Sequence, residues 1–236
     1  MDKRKRYFLV VDVETANSTE DGLVYDIGFA VCDKKGNIYH KESLVIYDIF
    51  VLEKELMKSA YYAKKIPLYE IGLKEKRFKM VTLMTAYKKV REVMKKYNIN
   101  TVCAYNANFD RNALNTTLRY VTKSKMRWFF PFGTKFNCIW SMACDTIYQQ
   151  KTFIKEALKN NWLSESGNIK TSAEIGYRYM TNSTEFEENH TGLEDVEIEC
   201  KIMALCIRQH KKMNRNINRM CWRKPTQKMK ELGLTA

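Results

Sequence analysis

A short apolar run that ends beside two acidic residues constrains the fold of this chain most strongly. The run spans residues 7 to 13, is rich in β-branched and aromatic side chains, and contains Asp12, with Glu14 directly after it. Such a composition is typical of a buried central strand. Side chains two apart in a strand project from the same face, so we expect both carboxylates on one side of the sheet. Taken alone, the pair equally fits an acidic strand end that caps a turn.

The rest of the chain indicates an α/β fold. Residues 24 to 33 and 37 to 47 predict two further strands, joined by a polar, Gly-containing hairpin turn. Residues 101 to 105 predict a fourth strand, and 138 to 142 either a fifth, edge-like strand or the start of a helix. Helices are expected elsewhere, with breaks at Pro67 and Gly72: 50 to 76, 81 to 97, the segment opened by Asp110, 151 to 161, 171 to 181 and 193 to 213. This order predicts a mixed five-stranded sheet with helices on both faces.

The charge of the chain favours a polyanionic partner. Its 236 residues carry a formal net charge of +14, an excess that favours nucleic acid as the ligand. From Arg208 to Ala236, nine basic residues stand against Glu231 alone. We expect one domain over residues 1 to 210, and a basic tail or helix extension over 211 to 236 that is not a separate domain. The tail fits contact with a phosphate backbone, docking on an acidic partner, or simple solvation.

Cysteine usage and hydropathy indicate a cytoplasmic protein. The seven cysteines include no Cys-x-x-Cys pair, which is typical of reduced thiols in the cytosol. Cys206 and His210 have a spacing that suits zinc, but no second pair accompanies them, so core cysteines are the simpler interpretation. The apolar run after the basic residues 3 to 6 is too short to span a membrane. No contact with a membrane is expected.

Three further residues extend the acidic pair into a larger constellation. Asp110 opens a helix, where aspartate is normally an N-cap, and Asp195 lies near the start of the last long helix, where acidic residues favour the helix dipole. His190 precedes Asp195 by five positions, in a stretch that also fits a surface loop. Four clustered carboxylates repel one another unless cations neutralise them. The combination therefore predicts a site for two Mg²⁺ or Mn²⁺ ions, which prefer hard oxygen ligands and serve phosphoryl chemistry.

These segments resemble the motifs of the DEDDh 3′-to-5′ exonucleases. That group includes the proofreading epsilon subunit of DNA polymerase III, ribonuclease T and oligoribonuclease. Asp12-Val13-Glu14-Thr15 resembles the first motif, and Asn106-Ala107-Asn108-Phe109-Asp110 resembles the second. His190 to Asp195 has the spacing of the third motif. The likeness extends over residues 7 to 210, most of the chain.

The resemblance implies a ribonuclease H-like fold and a two-metal hydrolysis that releases nucleoside 5′-monophosphates from the 3′ end of a single strand. It also implies a role for each matched residue: metal binding by Asp12, Glu14, Asp110 and Asp195, activation of water by His190, and contact with the terminal nucleotide by Thr15 and Asn106. Single-stranded DNA is the favoured substrate, two Mg²⁺ or Mn²⁺ ions are the expected cofactors, and a DNA polymerase is a candidate partner in DNA replication.

The chain departs from the family pattern at three places beside these motifs. Ala16-Asn17 follows Thr15 where many members have Thr-Gly, Gly192 stands where Ala is usual, and Tyr105 replaces a frequent His. None of these changes removes a metal ligand, but the first alters the loop that would meet the 3′ end. RNA therefore stays open as the substrate, since discrimination rests on contacts to the 2′-hydroxyl. A catalytically silent, nucleic-acid-binding polymerase accessory protein is the alternative from another class, and a zinc-dependent binding module is a third.

An aromatic segment, Trp128-Phe129-Phe130-Pro131-Phe132, lies among basic residues. Aromatic side chains of this kind stack the bases of single-stranded nucleic acid. The same segment also fits a hydrophobic plug that closes a loop over the core, or an oligomer contact. The sequence leaves these three interpretations open.

Overall fold

A computed structural model describes residues 4–18, 20–59, 63–187 and 190–234. These residues form a six-stranded sheet in the order β4-β3-β2-β1-β5-β6. The strands are β1 Tyr7–Ala16, β2 Leu23–Asp33, β3 Ile38–Ile46, β4 Lys79–Val81, β5 Thr101–Ala104 and β6 Lys135–Cys138. β1 pairs antiparallel with β2 and parallel with β5, and β6 pairs parallel with β5. β1 therefore lies at the centre of the sheet, as its apolar composition predicts.

Helices connect the strands and cover the sheet. Their bounds are α1 Tyr47–Phe50, α2 Lys54–Met57, α3 Ile66–Lys74, α4 Leu83–Lys96, α5 Ala107–Thr122, α6 Ile139–Asp145, α7 Lys151–Lys159, α8 Ala173–Thr181, α9 Gly192–Arg208 and α10 Arg223–Glu231, with a 3-10 turn at Ala63–Lys65. Within the described ranges, no helix combines the length and apolarity that crossing a membrane requires.

The sheet separates two hydrophobic layers, and β1 contributes to both by alternation. Leu9 and Val11 pack on the side that is covered by α4 and α5, while Phe8 and Val10 pack on the side of α6, α7 and α9. The predicted mixed α/β sheet with helices on both faces is thereby confirmed. Asp12 and Glu14 have the same parity along β1 as Val10, so they belong to the side that α9 covers.

The predicted strand count of five was wrong by one strand. The missed strand, β4, has three residues and pairs parallel with the edge of β3. So short a segment shows no alternating pattern. The helix predicted over residues 81 to 97 includes Val81, whereas α4 begins at Leu83. Of the two alternatives for residues 138 to 142, the structure has the start of a helix: α6 begins at Ile139, and the edge strand β6 precedes it and ends at Cys138.

Several predicted helix limits also change. Pro67 lies in the first turn of α3, where a missing N–H is tolerated, instead of breaking a helix. Gly72 lies inside α3 instead of breaking it, and an added Cβ there would lie 2.4 Å from the ring of Phe78. The helix predicted to reach residue 213 ends at Arg208, and His210 follows with a φ of 51°.

Part of the basic C-terminal segment packs against the body of the protein. The N–H of Cys138, at the end of β6, donates to the carbonyl of Arg215 over 2.8 Å. Lys224 pairs with the carboxylate of Asp145, the last residue of α6. Met229 of α10 is buried in the same layer as α7. These contacts attach the described part of the segment to the edge of the sheet beyond β5.

Candidate active site

Asp12 and Glu14 lie near the carboxyl end of β1, as the alternation predicts. Asp12 pairs with Gly28 and Glu14 with Asp26 on the neighbouring strand β2. The register shifts between Glu14 and Thr15, so a bulge follows the second carboxylate. Bulges often occur beside active sites, because they redirect the strand and its side chains.

The third carboxylate reaches this pair from α9. Thr191 is the N-cap of that helix, and Asp195 lies in its first turn. Ligand oxygens of Asp12, Glu14 and Asp195 all lie within 4.8 Å of one another. Three carboxylates at that separation suit a hard divalent cation, and among the described residues they form the one such group.

Close backbone packing brings α9 to this position. A Cβ on Gly28 would lie 1.9 Å from the carbonyl carbon of Gly192, and a Cβ on Gly192 would lie 2.7 Å from the nitrogen of Gly28. The first residue of α9 therefore rests directly on β2, opposite Asp12. This contact gives a physical reason for glycine at position 192.

A buried carboxylate on β2 anchors the start of α9. Asp26 is fully buried and accepts hydrogen bonds from the N–H of Gly192 over 3.0 Å, from the hydroxyl of Tyr69 over 2.7 Å and from the hydroxyl of Ser43 over 3.2 Å. Burial raises its pKa, and these hydrogen bonds oppose the rise. No local sequence pattern marks Asp26, because its partners come from three separate segments.

Asp110 comes from α5, on the opposite side of the sheet. It lies in the first turn of that helix and is buried. Burial raises the pKa of Asp110 to about 7, and the backbone N–H groups of Asp110 itself and of Val13, between Asp12 and Glu14, oppose the rise. The second predicted motif therefore contacts the first through the backbone of β1.

The pKa of Glu14 is strongly raised by its buried, acidic surroundings. Burial, followed by the charges of Asp12 and Asp195, raises its pKa to about 10. Without cations, the folded protein therefore favours a protonated Glu14 at neutral pH. A divalent cation among these oxygens would reverse that preference, because its charge stabilises the ionised form of every carboxylate around it.

The structure adds a fifth carboxylate, Glu199, to the four that the sequence predicts. It follows Asp195 by one helical turn on α9 and is 2% exposed. Burial and the charges of Asp12, Asp110 and Asp195 raise its pKa well above the usual range. The N–H of Tyr105 opposes that rise, and Oε2 has no hydrogen-bond partner. Glu199 shares its acidic sequence context with Glu194 and Glu197, so only the packing of α9 distinguishes it.

His190 lies outside the carboxylate group in this structure. It precedes the N-cap of α9, has a φ of 51° and is partly buried. The group of oxygens within 4.8 Å includes no nitrogen of His190. Its pKa is lowered by burial and by the charge of Lys65, with a smaller contribution of Lys64. The imidazole is therefore neutral at physiological pH and able to accept a proton.

The two predicted nucleotide contacts differ in accessibility. Thr15 is buried, and its side chain lies 3.0 Å from the position that a Cβ on Gly22 would take. Asn106 is exposed and lines a pocket of about 560 Å³ together with Asn108, Trp140 and Arg219. Of the two, Asn106 is placed to meet a ligand directly. Arg219, from the basic C-terminal segment, lines the same pocket.

Neither a protein-family model nor a sequence among the curated proteins matches the chain. Among solved structures, exonuclease I of Methylocaldum szegediense gives a TM-score of 0.50 at 14% identity, over 86% of this chain and 41% of that protein. Exonuclease I of E. coli in complex with a dA16 oligonucleotide gives a TM-score of 0.46 at 12% identity, over 84% and 40% respectively. Cell-death related nuclease 4 gives a TM-score of 0.47 at 9% identity, over 89% and 66%.

These likenesses concern the fold. The chain spans about two fifths of the length of the exonuclease I proteins. The likeness to the Methylocaldum szegediense protein, at a TM-score of 0.50, supports the fold alone, a mixed sheet with helices on both faces. The chain therefore has the ribonuclease H-like α/β fold that the sequence motifs imply.

Proposed function

We propose that this protein is a metal-dependent 3′-to-5′ exonuclease that hydrolyses the terminal phosphodiester of single-stranded DNA and releases nucleoside 5′-monophosphates. The observation that carries the proposal is the convergence of Asp12, Glu14 and Asp195, whose ligand oxygens lie within 4.8 Å of one another. They come from the two segments whose motifs match the beginning and the end of the DEDDh pattern. Asp110, from the middle segment of the three, lies against β1, the strand that carries Asp12 and Glu14.

The donor set fits two Mg²⁺ or Mn²⁺ ions held by Asp12, Glu14, Asp110 and Asp195. All four donors are carboxylates, the hard oxygen ligands that these cations prefer. Two such ions supply, when bound, positive charge on both sides of an in-line phosphoryl displacement. The raised pKa values of Glu14 and Asp110 favour the same assignment, because both carboxylates need a compensating positive charge to ionise.

His190 is the proposed general base. Its lowered pKa keeps the imidazole neutral near pH 7, so it can accept the proton of the attacking water. The new bond joins the water oxygen to phosphorus, and the bond from phosphorus to the 3′ oxygen of the preceding nucleotide breaks. The products are a nucleoside 5′-monophosphate and a strand with a new 3′-hydroxyl. Asn106, exposed beside this site, is proposed to contact the terminal nucleotide.

The test is a gel assay on 5′-labelled single-stranded DNA and RNA of equal sequence, with Mg²⁺ or Mn²⁺. We expect a ladder that shortens from the 3′ end and is lost in EDTA and in Asp12→Ala. The matched control is Glu165→Ala, which removes an exposed carboxylate outside the cluster and should keep full activity. His190→Ala should lower kcat by about 10²–10⁴-fold, the usual contribution of a general base.

The same assay separates the alternatives. Faster shortening of RNA would make the enzyme an RNA exonuclease of the ribonuclease T or oligoribonuclease kind. Binding of both strands without cleavage, with either metal, would refute the enzymatic proposal and leave a silent nucleic-acid-binding protein. The proposed setting is the cytoplasm, with a DNA polymerase as partner, and co-purification with such a polymerase is the corresponding test.

A further inference from the structure

The aromatic segment at residues 128 to 132 divides into a buried half and an exposed half. Phe129 and Phe130 are buried in the core and make edge-to-face contacts with each other, their ring centroids 5.2 Å apart. Trp128 is 59% exposed and Phe132 is 109% exposed. The hydrophobic plug and the exposed aromatic surface are therefore both present in one loop, with the buried pair between the two exposed rings. The exposed rings need an explanation of their own, because contiguous apolar surface often marks a binding site.

Hydrogen bonds hold the loop that carries these rings. Arg91 donates to the carbonyl of Phe129 over 2.9 Å and to the carbonyl of Trp128 over 3.0 Å. The N–H of Phe129 donates to the side-chain oxygen of Asn115 over 2.8 Å. Thr134 donates to the carbonyl of Pro131 over 2.7 Å. The exposed rings are thus presented by a braced loop, and binding to them requires little ordering of the backbone.

The pocket beside this loop is positively charged. It has a volume of about 630 Å³, and Arg91, Arg111 and Arg127 line it together with Trp128 and Phe132. No acidic side chain belongs to its lining. In the described part of the chain, none of these arginines forms an ion pair with a carboxylate. Rings and uncompensated guanidinium groups together match a ligand that has flat apolar faces and negative charge.

The pocket adjoins the candidate active site through α5. Asp110 and Arg111 are consecutive near the start of that helix. The carboxylate of Asp110 belongs to the candidate metal site, and the side chain of Arg111 lines the pocket. Arg111 also donates to the side chain of Asn108, which lines the amide-rich pocket around Asn106. Helix α5 therefore contributes both to the carboxylate site and to this pocket, so a polynucleotide whose 3′ end lies at the carboxylates can extend along α5 toward the pocket.

We propose that the pocket around Trp128 and Phe132 binds unstacked bases and phosphates of single-stranded nucleic acid, upstream of the terminal nucleotide. The two rings stack on bases, which is a sequence-tolerant interaction, and the arginines contact the intervening phosphates. This inference rests on the proposed function for the position of the 3′ end, but not for the binding itself. It predicts an enzyme that holds its substrate at a second point while the end is removed.

Binding is tested with a 5′-fluorescein-labelled oligothymidylate by fluorescence anisotropy, in EDTA and on an Asp12→Ala background so that no cleavage occurs. Phe132→Leu keeps apolar volume but removes the ring, and we expect about tenfold weaker binding. Phe132→Tyr keeps the ring and should bind as the parent does. Trp128→Ala should weaken binding similarly, and Trp128 fluorescence should be quenched by the oligonucleotide in the parent. Because both side chains are exposed, thermal unfolding midpoints should be unchanged.

The outcomes separate this proposal from the proposed function. Weaker binding in Phe132→Leu supports the pocket even if the wild-type protein cleaves nothing. Equal binding in Phe132→Leu, Trp128→Ala and the parent overturns the pocket even if the exonuclease is active. In an active enzyme, the variants should raise KM for long strands and leave cleavage of a dinucleotide unchanged. Unchanged binding together with a loss of self-association in sedimentation would identify the surface as a contact between copies, and would also overturn the proposal.

A different observation concerns Glu199. Its side chain is 2% exposed, its Oε2 has no hydrogen-bond partner, and it lies one turn of α9 after Asp195. A buried polar atom without a partner is costly and rare in proteins. We infer that Oε2 of Glu199 supplies a further oxygen donor toward the cations of the candidate site. Glu199 would then be a further metal ligand, and the backbone N–H of Tyr105, which favours its charged form, would help to orient it.

The test is calorimetric titration of the full chain with Mn²⁺, which needs no substrate. Glu199→Gln keeps an acceptor for the N–H of Tyr105 and should weaken Mn²⁺ binding about 10–100-fold. Glu199→Asp keeps the charge and should retain more of the affinity. Glu197→Gln, two residues away and paired with Lys41 at the surface, is the control and should bind as the wild type does. Equal Mn²⁺ affinity in Glu199→Gln and the wild type would overturn the inference without bearing on nuclease activity.

Discussion

Removal of divalent cations should make the protein lose stability as the pH rises. The pKa of Asp110 is raised from 3.8 to about 7, because burial penalises its charged form. One pKa unit corresponds to about 1.4 kcal/mol, so ionising this carboxyl in the folded protein costs on the order of 4 kcal/mol. A domain has a total stability of about 5–15 kcal/mol, so this cost is a substantial fraction of it.

The sign of the effect follows from proton binding. Between about pH 4 and pH 7 the folded state keeps the proton of Asp110, while the unfolded state has released it. The contribution is therefore complete below the unfolded pKa and is lost as the pH rises to the folded one. Glu14 acts in the same direction, up to a pKa of about 10. The costs of ionising Asp110 and Glu14 are not additive, because the two carboxylates repel each other. His190 acts oppositely, because its pKa is lowered.

The assay is thermal unfolding followed by circular dichroism between pH 5 and pH 8, first in EDTA and then with saturating Mn²⁺. At about 2–4 °C per kcal/mol for a chain of this size, Tm in EDTA should fall on the order of 10 °C over that range. With Mn²⁺ the fall should disappear, since the cations take the place of the protons. Asp110→Asn should flatten the slope in EDTA, and Glu165→Gln should not. A Tm in EDTA that stays level or rises from pH 5 to pH 8 would refute the reasoning.

Three further predictions concern the packing of α9 against β2 and the binding of the oligonucleotide. Gly28→Ala places a methyl 1.9 Å from the backbone of Gly192 and should lower the free energy of unfolding by about 3 kcal/mol in urea, whereas Gly133→Asn, at a position with open space, should not. Asp26→Ala leaves three buried donors without their acceptor and should destabilise by about 1–3 kcal/mol, with weaker Mn²⁺ binding in calorimetry. Oligonucleotide affinity should fall linearly with salt on logarithmic axes, and a salt-independent affinity would contradict phosphate contacts.

Sequence patterns predicted the strands and helices whose apolar residues repeat with a local period. The apolar run of β1 fixes a buried strand, and a period of two places Asp12 and Glu14 on one face of it. Helix α4 followed from its apolar face, and its N-cap Thr82 has the expected side-chain bond to the N–H of Thr85. β4 escaped prediction because three residues at a sheet edge carry no period, and their pairing with β3 is a tertiary event.

The residues that sequence could not assign are those whose role depends on what lies across from them. In the sequence alone, Glu199 fits an acidic residue whose charge favourably interacts with the dipole of its helix. Only the packing of α9 on β1 turns it into a buried carboxylate near Asp12. His190 has the family spacing, yet a positive φ and the pair Lys64–Lys65 set its surroundings here. Spacing along the chain carries no information about either environment.

The pair Gly28 and Gly192 makes the same point about the geometry of the site. Asp12 pairs with Gly28 across the sheet, and Gly28 is where the first turn of α9 rests. Without a side chain at either position, the helix approaches the sheet closely enough for Asp195 to come within 4.8 Å of the β1 carboxylates. A Cβ at Gly192 would also lie 3.1 Å from the carbonyl oxygen of Asp12. Glycine at position 192 is therefore a packing requirement of this chain, and the close approach that it permits positions the candidate metal ligand Asp195.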